Sequence, residues 1–123
     1  MRNAPQGPRK IMGAAYLSLG LATMLMPDLM IELSIADPAQ ANDLTRLIFQ
    51  CFGLQAALFG LLALVSRFTR TTYIVIGAAI LPIFVFDYWF YAVVPVLTLL
   101  GAAVDAVFNL IFIAMCWLGA RRR

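Results

Sequence analysis

The sequence predicts an all-α polytopic membrane protein, a single four-transmembrane-helix bundle, and three observations carry the prediction. Apolar residues make up 63% of the 123-residue chain, a share that a soluble domain of this length cannot hide from water. These residues fall into four runs, at about 11–27, 43–65, 72–90 and 95–118, each near the ~20 residues a spanning helix needs. The cations stand at the ends of the runs rather than inside them, which is the pattern of membrane topology and not of a nucleic-acid surface, despite a net charge of +3.

The chain opens with a basic, irregular lead-in holding Arg2, Arg9 and Lys10 among Pro5, Gly7 and Pro8. The first apolar run, Ile11–Met26, carries Gly13 and Gly20 seven residues apart and Ala14, Ser18 and Ala22 four apart, so one side is small enough for close packing. The basic head, the apolar stretch and the small-x-small pattern Ser34-Ile35-Ala36 also resemble a signal peptide, although a retained first span is the expectation. Pro27 ends or bends this helix, and Asp28 favours a fresh start. Leu29–Ile35 mixes apolar residues with Glu32 as an interfacial segment does. Asp37, Pro38 and Gln40 then read as N-cap, first helical position and capping-box partner of the second span.

Arg67 and Arg70 make the next connection short and basic, and Thr71 or Thr72 is placed to cap the third helix. Pro82 falls near that helix's middle, removes one backbone hydrogen bond and leaves the Ala78 carbonyl short of a partner, so a kink is expected. The connection 91–94 is tight enough to make the third and fourth helices antiparallel neighbours. Eight of the nine cations, Arg2, Arg9, Lys10, Arg67, Arg70 and Arg121–Arg123, fall on one side of this arrangement and Arg46 alone on the other. Both termini are therefore expected in the cytoplasm and the acidic first connection outside a bacterial inner membrane. The arginine tail is suited to an anionic leaflet.

Composition removes several classes of chemistry. The absence of histidine excludes imidazole ligation of haem or chlorophyll, and two cysteines make a transition-metal site unexpected. Cys51 and Cys116 should differ in depth by roughly 20 Å, beyond disulfide reach within one subunit. No cofactor and no metal are expected. Expected partners are the lipid bilayer, a lipophilic small molecule or a partner membrane subunit, and a second copy of the chain.

The polar residues inside the spans carry the functional reading. Arg46, Gln50, Gly53, Ala57 and Gly60 share one face of the second helix, and Thr98, Ala102, Asp105, Asn109 and Phe112 share one face of the fourth. Two such stripes are expected to face each other, because Gln, Asp and Asn against lipid are costly. Asp105 lies roughly 15 Å from the outer end of its span, near the midplane with Pro82. A carboxyl there needs a proton, a partner or water, and Tyr16, Gln50, Gln55 or the Ala78 carbonyl can complete its site. Asp87 lies nearer the surface, in the aromatic segment PIFVFDYWFY.

The candidate ligand-binding residues are thus Asp105, Asn109, Gln50, Asp87, Phe84, Tyr88, Trp89 and Arg46. The expected cavity is lined by Gln50, Gly53, Ala78, Phe84, Asp105 and Asn109, with the first helix mainly a packing partner. Each has a plainer reading: Arg46 paired with Asp43 or Asn42, Tyr88, Trp89 and Tyr91 as an interfacial belt, the glycines as packing, Asp105 as glue between helices.

Met-Pro-Asp-Leu-Met at 26–30 closing a glycine-bearing first span, followed by an acidic segment and a second span beginning TRLIFQCFGLQAALFGLLAL, resembles the small four-helix DoxX-like inner-membrane proteins of bacteria. The resemblance rests chiefly on Pro27, Arg46, Gly53 and Gly60, covers about residues 11–118, and implies a four-helix bundle without an assigned activity. Small multidrug transporters match in length and span count, but carry an essential glutamate in a first span that here has no acid. Three functions remain open from the residues: binding of a lipophilic or cationic ligand or partner subunit at a polar site centred on Asp105; proton-coupled transport; and a membrane-embedded isomerase, cyclase or hydrolase with Asp105 and Asp87 as acid and base.

Overall fold

The computed structural model describes residues 4–121. Its helices are α1 (Gly7–Leu25), α2 (Pro27–Ser34), α3 (Asp43–Val65), α4 (Arg70–Tyr88) and α5 (Leu99–Arg121), with a 3₁₀ turn at Pro38–Gln40 and a π turn, Trp89–Val93, prolonging α4. Arg2, Arg122 and Arg123 lie outside the described residues. α3, α4 with its π turn, and α5 are each long and apolar enough to cross a membrane, and α1 and α2 together meet the same test as a pair bent by 101°. The chain is a membrane-embedded all-α bundle.

Local chemistry sets the helix ends, in several places differently from the sequence reading. Pro27 has no N–H to continue α1 and its fixed φ starts α2 instead, so the first long helix stops at Leu25 and α2 folds away across its end. Asp37 does cap, accepting from Ala39 N at 2.9 Å, but it caps only the 3₁₀ turn. α3 is capped by Asn42, whose side chain accepts from Thr45 N at 3.0 Å. Thr69, not Thr71 or Thr72, caps α4, with Thr72 returning the bond to the Thr69 N–H in a capping box.

The largest difference is at α5. Its helix begins at Leu99 rather than near 95, because the preceding residues bond to the end of α2. Ala36 N donates to Val96 O and Thr98 N to Ser34 O, each at 2.8 Å, around an antiparallel bridge between Ile35 and Leu97. Thr98 Oγ1 adds a bond to Leu33 O at 2.6 Å and accepts from Gly101 N at 2.9 Å. This strap ties the α2 end of the bundle together.

The helices lie in the order α3, α1, α5, α4, with no comparable direct packing between α3 and α5. That overturns the expected pairing of the α3 and α5 stripes; the first helix, expected mainly as a packing partner, lies between them. The cause is glycine: a Cβ on Gly53 would stand 2.7 Å from Gly20 O, and one on Gly60 2.7 Å from Gly13 O. Two glycines seven apart on each helix bring the α1 and α3 backbones into contact, where dispersion and close packing take the place of a hydrophobic drive. The small face of α3 is consumed by α1. At the opposite end from α2, the Tyr73 ring lies on Gly119 and is fully buried, beside Met12 and Cys116.

Only 11% of the apolar window of α4 is buried, so most of that helix faces lipid. Arg121 stacks on Trp117 at 4.7 Å from the ring centroid.

One buried cation was read from sequence only as a topology signal. Arg9 is 6% exposed; its guanidinium donates to the carbonyls of Ala63 and, at 2.7 Å, Leu64, in the last turn of α3, and to Gln6 Oε1 at 2.8 Å. Gln6 in turn bonds both the N–H and the carbonyl of Phe68, at 3.1 and 3.0 Å, and the Tyr73 hydroxyl donates to Pro5 O at 2.6 Å while accepting from Arg9 N at 3.1 Å. The orphan carbonyls of a helix C-terminus, at the negative end of its dipole, are satisfied by a guanidinium.

Candidate functional site

α5 carries Asp105 two turns in from its start, and the following turn carries Asn109 on the same face. Asn109 is 4% exposed, and its Nδ2 donates to Asp105 O at 2.8 Å and to Asp105 Oδ2 at 3.1 Å. From α4, the Asp87 carboxyl enters the same lobe of a cleft as Asp105. Asp87 Oδ2 is sealed from solvent, and no donor among the described residues reaches it.

The two aspartates share a depth. Asp105 is six residues from the start of α5 and Asp87 six from the end of the π turn, roughly 9 Å in each case at 1.5 Å per residue. The sequence reading set Asp105 at the midplane and Asp87 nearer the surface. The late start of α5 raises Asp105 to the level of Asp87, and the π turn lowers Asp87 to meet it.

Both carboxyls line this two-lobed cleft, walled by residues of α1, α2, α3 and α5, to which α4 contributes Asp87. One lobe, about 320 Å³, is lined by Leu19, Thr23, Met30, Leu33, Ser34, Phe49, Phe52, Leu100, Gly101, Val104, Asp105 and Phe108. The adjoining lobe, about 290 Å³, shares Ser34, Phe49, Phe52, Gly101 and Asp105 and adds Ile48, Leu97 and Asp87. The walls are aliphatic and aromatic, and the Thr23 hydroxyl is already committed to Leu19 O at 2.8 Å. Phe52, Leu100 and Val104 are about half exposed, so the cleft opens on the side of the bundle. The strap between Ser34–Ala36 and Val96–Thr98 closes it toward the α2 end.

The remaining candidates are placed elsewhere. Gln50 and Gly53 line neither lobe; Gly53 is against α1, and Ala78 is exposed. Phe84 packs against the core that holds Phe112 and Tyr73. Tyr88 and Trp89 are exposed on the bundle surface. Tyr16 makes no hydrogen bond to Asp105; it stacks on Phe112, centroids 4.2 Å apart, and meets Phe59 edge-on at 4.9 Å. Arg46 pairs with Asp28, Nη2 to Oδ1 2.8 Å, rather than with Asp43 or Asn42, because the bend at Pro27 carries α2 over the start of α3. That pair is exposed and borders an acidic hollow separate from the cleft.

Phe49, Phe52, Ser34 and Thr23 were missed by sequence reasoning. Phe49 and Phe52 stand three residues apart on one helix face, but apolar spacing in a spanning helix does not distinguish a cavity wall from a lipid contact. Compared with protein-family models, with curated proteins and with solved structures, the chain finds no match.

Proposed function

We propose that this is a small membrane protein that binds a lipophilic molecule in the cleft at Asp105 and Asp87. The observation that carries the reading is the convergence of two carboxyls from different helices on an otherwise apolar cavity of ligand size, which bundle packing alone does not require. Intramembrane acids that serve only as glue bond to the neighbouring helix. Here Asn109 bonds Asp105 from the same helix, and Asp87 Oδ2 is left without a donor. A pocket with apolar walls and a few convergent polar groups is the usual form of a small-molecule site.

A photoreactive long-chain alcohol incorporated into bilayers with the protein tests this. Saturable labelling of Phe49, Phe52 and Val104, displaced by excess unlabelled alcohol and reduced in Val104→Trp, is expected. Labelling spread evenly over lipid-facing residues such as Ile74 and Val75, with no saturation, would overturn it.

The presence of both carboxyls in one lobe also favours a second reading, acid–base chemistry by the Asp87–Asp105 pair on a lipophilic substrate, in which one group donates while the other accepts; turnover lost in either Asn variant would establish it. The DoxX-like kinship belongs to the same proposal, as do the inner membrane and cytoplasmic termini, which rest on the distribution of cations. Cysteines placed at Glu32 and Arg70 should react with impermeant thiol reagents from opposite sides of the membrane.

A further inference from the structure

We propose that the molecule taken by the cleft is a membrane-soluble amine, its ammonium held between Asp87 and Asp105 in exchange for a proton that the two carboxyls share when the cleft is empty. This rests on the cleft being a lipophile site and specifies which lipophile. Among the described residues, the only ionisable side chains lining either lobe are these two acids. An anionic headgroup would meet like charge in a medium of low dielectric, and a neutral alcohol brings a single donor. An ammonium brings several N–H donors and a charge, enough to engage acceptor lone pairs of both Asp87 and Asp105 at once.

The surroundings leave no competitor for that charge. On α1, the Tyr16 ring is packed against Phe112 and Phe59. α2 and α3 present no charged side chain to the cleft, and α5 adds only the neutral Asn109. Arg46 is engaged with Asp28 outside it. Two carboxylates lining one apolar lobe repel each other, so in this proposal the empty pair holds one proton and a single negative charge. When R–NH₃⁺ enters, that proton leaves to solvent and both carboxylates face the ammonium; net charge and protons balance without a further reactant. The apolar walls, with Phe49, Phe52 and Phe108, take the hydrocarbon part, and the side opening lets it arrive from the bilayer.

The test titrates decylamine and 1-decanol into the full chain in nanodiscs of zwitterionic lipid, by calorimetry in two buffers of different ionisation enthalpy. The Asp87→Asn/Asp105→Asn double variant supplies the background; if it does not fold, empty nanodiscs do. Decylamine is expected to bind about ten- to a hundredfold more tightly than decanol, as charge-assisted hydrogen bonds allow, with release of about one proton per amine. Equal saturable binding of both without proton release would overturn the amine assignment and leave the lipophile site standing. No binding of either above background would overturn both.

Discussion

The Arg9 guanidinium donates a 2.7 Å hydrogen bond to the Leu64 carbonyl oxygen, joining residues 55 positions apart. With its bond to Ala63 it closes the last turn of α3. Arg9→Ala leaves those carbonyls buried without a donor, and should lower stability by about 1–3 kcal/mol. Arg9→Lys should recover part of that, because an ammonium reaches a carbonyl but cannot also bond Gln6 as the planar guanidinium does. Thermal unfolding in detergent measures both. An Arg9→Ala protein as stable as the parent would show that the guanidinium does not cap α3.

Glycine contacts give a paired prediction. Gly53→Ala must part α1 from α3, since its Cβ would meet Gly20 O at 2.7 Å, and overpacking of that kind costs about 1–3 kcal/mol. Gly7→Ala meets nothing within 4 Å and should change stability by no more than about 0.5 kcal/mol. Equal unfolding midpoints for the two variants would contradict the backbone contact.

At the acid pair, Asp105→Asn and Asp105→Leu should move stability in opposite directions. The asparagine amide keeps the shape and can donate to Asp87, so it should stabilise by about 1 kcal/mol. Leucine removes the partner with which Asp87 shares its proton and strands that carboxyl, so it should destabilise by about 1–3 kcal/mol. Denaturation in mild detergent reads the difference. If leucine proves the more stable, the two carboxyls do not interact.

The bridge between Ile35 and Leu97 is flanked by the bonds Ala36 N to Val96 O and Thr98 N to Ser34 O, which makes these two residues a non-hydrogen-bonded antiparallel pair with closely spaced Cβ atoms. Ile35→Cys/Leu97→Cys, in a background with Cys51→Ser, should form a disulfide under mild oxidation, seen as a mobility shift reversed by reductant. Because the cleft opens on the side of the bundle, the oxidised and reduced forms of this variant should label Phe49 and Phe52 alike.

Composition alone determined that the chain is helical and embedded in a membrane: burying so much apolar surface in water is impossible at this length, and in lipid each backbone group must bond within its own helix. Single residues marked several ends, as Pro27 does for α1, because the loss of an N–H acts locally. Asp105, Asn109 and Asp87 were legible as candidates for the same kind of reason, since the cost of a polar side chain in hydrocarbon belongs to the residue itself. Which groups meet was decided only by the tertiary structure. The glycines of α3 were assigned to a face shared with Arg46 and Gln50, but spacing does not say which helix a small face meets. Backbone contact between Gly53 and Gly20 placed α1 between α3 and α5 and left the cleft at Asp105 open. The depth of Asp105 followed from hydrogen bonds between Ser34–Ala36 and Val96–Thr98 that delay the start of α5, and the burial of Arg9 from carbonyls that α3 exposes more than fifty residues later. These are long-range pairings, and periodicity along one helix carries no information about the groups another segment brings to it.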